Sequence, residues 1–331
     1  MFSSCHSFIL DLGDEKIRKE FTQEELDEIC RKNPHPLPPA TPQLLDYVNG
    51  FINLTTIDEL EKRVRKRMFD FDKEFILDWA QYSLQTVIRL FHSNFFPITD
   101  QTEGDMIRRI WNFIDYAFDN MKVDIRTGEM ESAASAERRN EQRTENGREL
   151  HGHETGLLIK VVKGEISCTE VGKKDHGVAG SKETKELGLK VPKMLKDQLY
   201  NLSKVCPEKV ENLVVVAFVM MANTCIWIKL GLKLRVVVMD NPSTYVCRIN
   251  RTDPYYFPST VVTVGNDFGA MLILISQVRE LVDQTIKKLN EPYVLRSMSF
   301  ANVVSPPTII LPCPPSPKLS PKKTSRLIPG L

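Results

Sequence analysis

Residues 156–172 read GLLIKVVKGEISCTEVG, two short apolar runs around a Lys163-Gly164 pair. A glycine between two such runs predicts a β-hairpin, with strands over 156–162 and 165–171. The stretch before it, NGRELHGHET (146–155), is polar, and Lys173 and Lys174 follow it at once. An acid, Glu170, and a group of lysines therefore gather at one end of a strand pair. Whether they form a working site decides most of the functional reading.

Outward from the hairpin, helical and strand patterns alternate. On the C-terminal side, 186–205 predicts a helix with Leu189, Met194, Leu195, Leu199 and Leu202 turned inward, Pro192 being tolerated near its first turn. Strand candidates lie within 213–228, where Met220 to Ile228 breaks the pattern as a gene-model artefact would. Further candidates are 232–239 and 245–251, paired through the Asp240-Asn241-Pro242-Ser243 turn. A long helix over 267–289 carries Leu272, Ile275, Val278, Val282 and Ile286. On the N-terminal side, 124–147 is polar, with a short helix expected over 132–137. Residues 41–121 are helical, opened by Thr41-Pro42. Leu60 and Val64 mark one helix, and Phe75, Trp79, Tyr82, Val87 and Leu90 the next. Met106, Ile110, Phe113, Ile114 and Ala117 mark a third; stripes at this spacing are core faces. The expected fold class is α+β. It comprises a flexible segment and linker (1–40), a helical region (41–125), a small mixed α/β core (126–300) and a disordered Pro/Ser/Lys-rich tail (301–331).

Composition narrows the class. In 331 residues, 42% are hydrophobic and 26% charged, enough for a sizeable core. The net charge of +1 provides no global attraction for nucleic acid, so such binding would need a local basic patch. Seven scattered cysteines without a CxxC pair suit reduced thiols, and no N-terminal run is long enough for a signal peptide. A cytoplasmic or nuclear location is expected. Leu213 to Ile228 is shorter than the roughly 20 residues a bilayer needs, so no membrane partner is expected.

The order of elements resembles the restriction-endonuclease-like (PD-(D/E)XK) core. RTGEMESAASAERRN (126–140), GLLIKVVKGEISCTEVG (156–172), KVPKMLKDQL (190–199) and LKLRVVVMDNPSTYVCRI (232–249) are similar to a family of uncharacterised proteins from Mucorales-type fungi. The nuclease-like resemblance implies an Asp at the start of one strand and Glu-x-Lys on the next, holding Mg²⁺ with hard oxygen ligands. Here the Asp slot falls on Gly156, the second acid is Glu170, and the lysine slot falls on Gly172. By period-two alternation Glu154 shares the face of position 156 and stands as a substitute metal ligand beside Glu170, with Lys173 as a substitute for the lysine. Glu129 or Glu131 would supply an acid from the lead helix. Lys190, Lys193 and Lys196 would meet a phosphate backbone from one helical face.

Three readings stay open. The favoured one is a catalytically degenerate nuclease-like core that binds nucleic acid, with no cofactor. The alternatives are an active Mg²⁺-dependent nuclease using Glu170, and a structural or interaction protein that recruits a protein partner through its Pro-rich tail. His151, His153, Cys168 and His176 match no strong zinc spacing. Serine-hydrolase elbow, P-loop and dinucleotide-binding motifs are absent from the sequence.

Overall fold

The computed structural model describes residues 7–96, 102–141, 148–172, 186–223, 231–243, 245–292 and 309–314. Its centre is an eight-stranded mixed sheet, so the α+β class holds. The strands are β1 (Ile9–Asp11), β2 (Asp124–Glu131), β3 (Glu154–Val161), β4 (Gly164–Gly172), β5 (Val214–Asn223), β6 (Gly231–Ser243), β7 (Val246–Arg251) and β8 (Tyr255–Tyr256). The order is β1-β7-β6-β5-β4-β3-β2, with β8 also on β6. The strands β2, β3 and β4 form an antiparallel meander, while β5 lies parallel to β4. A second antiparallel meander follows through β6 and β7.

The helices are α1 (Glu15–Arg18), α2 (Gln23–Arg31), α3 (Pro42–Asn49), α4 (Ile57–Val64), α5 (Phe75–His92), α6 (Glu103–Met106), α7 (Asn112–Tyr116), α8 (Ala133–Asn140), α9 (Val191–Val205) and α10 (Gly269–Asn290). Thr22 with Glu25 and Thr56 with Glu59 close reciprocal capping boxes that start α2 and α4. The helices cover both faces of the sheet. Phe118, just past α7, packs on Phe218 of β5. The adjacent Val219 is in register with Glu170, which meets Lys190 at the start of α9. Successive residues point to opposite faces, so α7 and α9 lie on opposite sides. Double coverage explains why β5, VVVAFVMMAN, is almost continuously apolar. Met220, Met221 and Ala222 continue this strand, buried, instead of interrupting it; residues 224–230 lie outside the described set. Buried helix α10, with its preceding turns from Val261, would pass for a membrane span by length and composition, but over half of its most apolar window is packed inside the protein.

Within the segment 1–40, residues 9–31 carry β1, α1 and α2. Ile9–Asp11 pairs in parallel with β7 and forms the edge of the sheet. Arg248 of β7, 1% exposed, fastens α2 behind it: its guanidinium donates to Asp240 at 2.5 and 3.0 Å and to the carbonyls of Ile29, Lys32 and Asn33. The carbonyls at a helix C-terminus have no intrahelical donors, and this arginine supplies them. In 309–314, Ile310 and Cys313 are buried, and Cys313 lies against the Lys193 carbonyl; 301–308 and 315–331 lie outside the described residues.

Candidate functional site

The site is built from the β3–β4 hairpin, α8 and the start of α9. Its anchor is Glu165 of β4, 4% exposed. It accepts from Ser132 Oγ at 2.6 Å and from the Ala133 N–H at 2.7 Å, with Lys160 Nζ at 3.4 Å. A carboxylate facing the first N–H groups of a helix satisfies orphan donors and complements the helix dipole. Strand β4 thus caps α8, a helix too short to be stable alone. Helix α8 in turn carries Arg138 and Arg139 toward α9. Arg138 Nε lies 2.7 Å from Asp197 Oδ1, both side chains almost fully buried. Burial raises the Asp197 carboxyl to about 6, outweighing the opposing field of Arg138. Arg139 donates to the His151 carbonyl.

At the end of β4, Glu170 is 4% exposed and its Oε2 lies 2.7 Å from Lys190 Nζ. His153 stands near this group, its backbone N–H donating to Ser135 Oγ at 2.6 Å. Burial, then the field of Arg139, Arg138, Lys190 and Lys193, pulls the His153 imidazole down to about 4. Two of these cations are themselves paired, Arg138 with Asp197 and Lys190 with Glu170.

The expected metal ligands do not converge. Glu154 is exposed and sits in register with Glu131 of β2, a like charge, rather than with β4. The β3–β4 pairing stops at Leu157 with Thr169. Beyond it the Thr155 hydroxyl lies between the strands, donating to the Thr169 carbonyl at 2.5 Å and accepting from the Thr169 N–H at 2.8 Å. A side chain turned into the sheet plane breaks the two-residue alternation that put Glu154 beside Glu170. A Cβ on Gly156 would meet Ile107 and Val171 at 3.0 and 3.2 Å. Val171 faces away from Glu170 as its neighbour in the strand, so position 156 does not aim at that acid either. Glu129 and Glu131 lie on β2, not on a lead helix, and Glu131 accepts from Gly152 N–H and meets His151 Nδ1 at 3.1 Å. Among the described residues no three His, Cys, Asp or Glu side chains are placed to hold a metal ion. The described acids thus do not fit the Mg²⁺ arrangement that the resemblance implies; Lys173 and His176 lie outside the described residues.

The lysine row also separates. Lys190 pairs with Glu170 and Lys193 is half-buried, but Lys196 is fully buried. Its ammonium donates to the Ser7 carbonyl and stacks 5.2 Å from the Phe8 ring, and burial lowers its pKa. Lys196 cannot reach a phosphate backbone. Burial, chiefly, raises the Cys168 thiol well above its usual value, so it is neither nucleophile nor thiolate ligand. Arg139, Glu165 and Asp197 were not singled out by sequence spacing; the signal for them is Ser132 ahead of AASAERRN, an N-cap and a helix ending in two arginines.

Comparison with protein-family models yields no match, and neither does comparison with curated proteins or with solved structures.

Proposed function

We propose that the chain is a nucleic-acid-binding module on a nuclease-like core without a metal-dependent cleavage site. The order of helix α7, meander β2-β3-β4, helix α9 and parallel strand β5 is similar to the restriction-endonuclease-like core, which supports the first part. The observation that supports the second is that the expected acids lie apart: Glu154 is exposed in register with Glu131 of β2, while Glu170 sits on β4 beside Lys190. Arg138, Arg139, Lys190 and Lys193 gather around His153, a local basic group of the kind phosphate binding needs when the net charge is only +1, with Arg138 and Lys190 partly offset by Asp197 and Glu170.

The test is incubation of the full chain with supercoiled plasmid and with single-stranded DNA and RNA, in Mg²⁺ and in Mn²⁺, beside Glu170→Gln. The reading expects no cleavage from either protein. Metal-dependent cleavage that Glu170→Gln abolishes would replace it with the active-nuclease alternative.

A further inference from the structure

A cavity of about 300 Å³ opens on the helical side of the molecule, away from the β3–β4 hairpin. Most of its wall is one face of α5: Phe75, Asp78, Trp79 and Tyr82 recur at the three- and four-residue spacing that aligns side chains along a helix. Phe71 closes one side, and Tyr116 with Asp119 closes the other. The rings meet edge to face: Phe71 and Phe75 have centroids 5.2 Å apart at 86°, and Tyr82 and Tyr116 5.5 Å apart at 67°. Trp79 is fixed there because its Nε1 donates to the Phe113 carbonyl at 2.7 Å.

Core aromatics are ordinarily covered, yet Phe71 is 47% and Tyr82 50% exposed. Charge tells what suits the space between them. No described cation is placed against Asp78 or Asp119, and burial raises both carboxyls. Asp115 lies close enough to Asp119 for each charge to be felt, and burial raises it too. Arg279 of α10 stacks its guanidinium on Phe75 at 5.1 Å, hydrogen-bonds Asn120 and feels Asp283 and Glu280, but does not line the cavity. The cavity therefore combines π faces with negative charge that nothing inside it balances.

We propose that this cavity binds a methylated ammonium group, held by the rings of Phe71, Tyr82 and Tyr116 and by the charge of Asp78 and Asp119. Ring faces attract cations through their quadrupole, and the attraction grows where water is excluded. An ammonium with N–H groups would surrender hydrogen bonds to water that ring faces do not replace. A methylated one has few or none to lose. The volume lies at the lower end of small-molecule clefts, which fits a head group rather than a large ligand.

The experiment is calorimetric titration of the full chain with choline and with 3,3-dimethylbutan-1-ol, its uncharged isostere. Saturable choline binding is expected, about tenfold or more above the isostere. Tyr82→Ala and Phe71→Ala, at half-exposed positions that leave the core intact, should each weaken it about tenfold. Asp119→Asn should weaken it several-fold, more at low salt than at high. A trimethyl-lysine peptide and phosphocholine vesicles, titrated next, distinguish a protein from a lipid source. Equal binding of choline and isostere, no saturable choline binding, or choline binding indifferent to Tyr82→Ala would overturn the proposal.

Discussion

Replacing Glu165 with alanine tests whether the sheet holds the cationic helix in place. The side chain is 4% exposed and serves Ser132 Oγ, the Ala133 N–H and Lys160 together. Its loss strands two donors at the N-terminus of α8, at about 1–3 kcal/mol each. The expected cost is about 3–5 kcal/mol, the range for breaking a buried charged group from its partners. Lys160→Met removes only the 3.4 Å ion pair from a partly exposed lysine and should cost less than about 1 kcal/mol. Glu165→Gln keeps an acceptor oxygen and should fall between them. Urea unfolding followed by circular dichroism reads the differences at constant m-value, and hydrogen exchange should show α8 amides losing protection first. A Glu165→Ala protein within about 0.5 kcal/mol of the parent would refute the capping argument. So would a Lys160→Met protein as unstable as Glu165→Ala, because the ion pair and not the cap would then carry the energy.

Other perturbations bear on neighbouring groups. Asp197, raised from 3.8 to about 6, contributes stability that is fully present below pH 4 and lost as pH rises through 6. The stability difference between the parent and Asp197→Asn should therefore shift by about 3 kcal/mol across that window, measured by urea unfolding at several pH values; a flat difference would rule this out. Gly156→Asp should destabilise by about 2 kcal/mol or more, because the carboxylate would enter the layer of Ile107 and Val171; metal-dependent cleavage appearing in this variant would show instead that position 156 aims at Glu170. Arg248→Met should cost about 3–5 kcal/mol and expose 14–33 to limited proteolysis, since Asp240 and the carbonyls of Ile29, Lys32 and Asn33 at the end of α2 lose their donor; an unchanged digestion pattern would mean that α2 is held by other contacts.

The sequence made some elements legible through period and others invisible for physical reasons. The hairpin, α9, the aromatic faces of α5 and α7 and the β6–β7 pair follow hydrophobic periodicity, and each packs as that period requires. Strand β1 has only three residues, too few to show alternation, and its place is set by β7. Strand β2 reads as polar because it pairs only with β3 and stays largely exposed. Lys190, Lys193 and Lys196 looked like one row, but each three-residue step on a helix falls roughly 60° short of a full turn. Two steps carry Lys196 roughly 120° round from Lys190, into the packed interior. Alternation along β3 was a sound rule until Thr155 turned its hydroxyl into the sheet plane, a hydrogen bond that no pattern of apolar residues reports. The cationic group itself is a tertiary product: Arg138 and Arg139 come from α8, Lys190 and Lys193 from α9, and His153 from the approach to β3.

The most direct measurement is nucleic-acid affinity as a function of salt, by fluorescence anisotropy with labelled single- and double-stranded oligonucleotides. Affinity of the parent chain should fall linearly on a log–log plot against salt. Arg139→Ala and Lys193→Ala should each lower affinity uniformly across sequences and reduce that slope by about 1. Lys196→Met, buried beneath Ser7 and Phe8, should leave the slope unchanged. Absence of binding at low salt, or a slope indifferent to Arg139 and Lys193, would contradict the nucleic-acid reading.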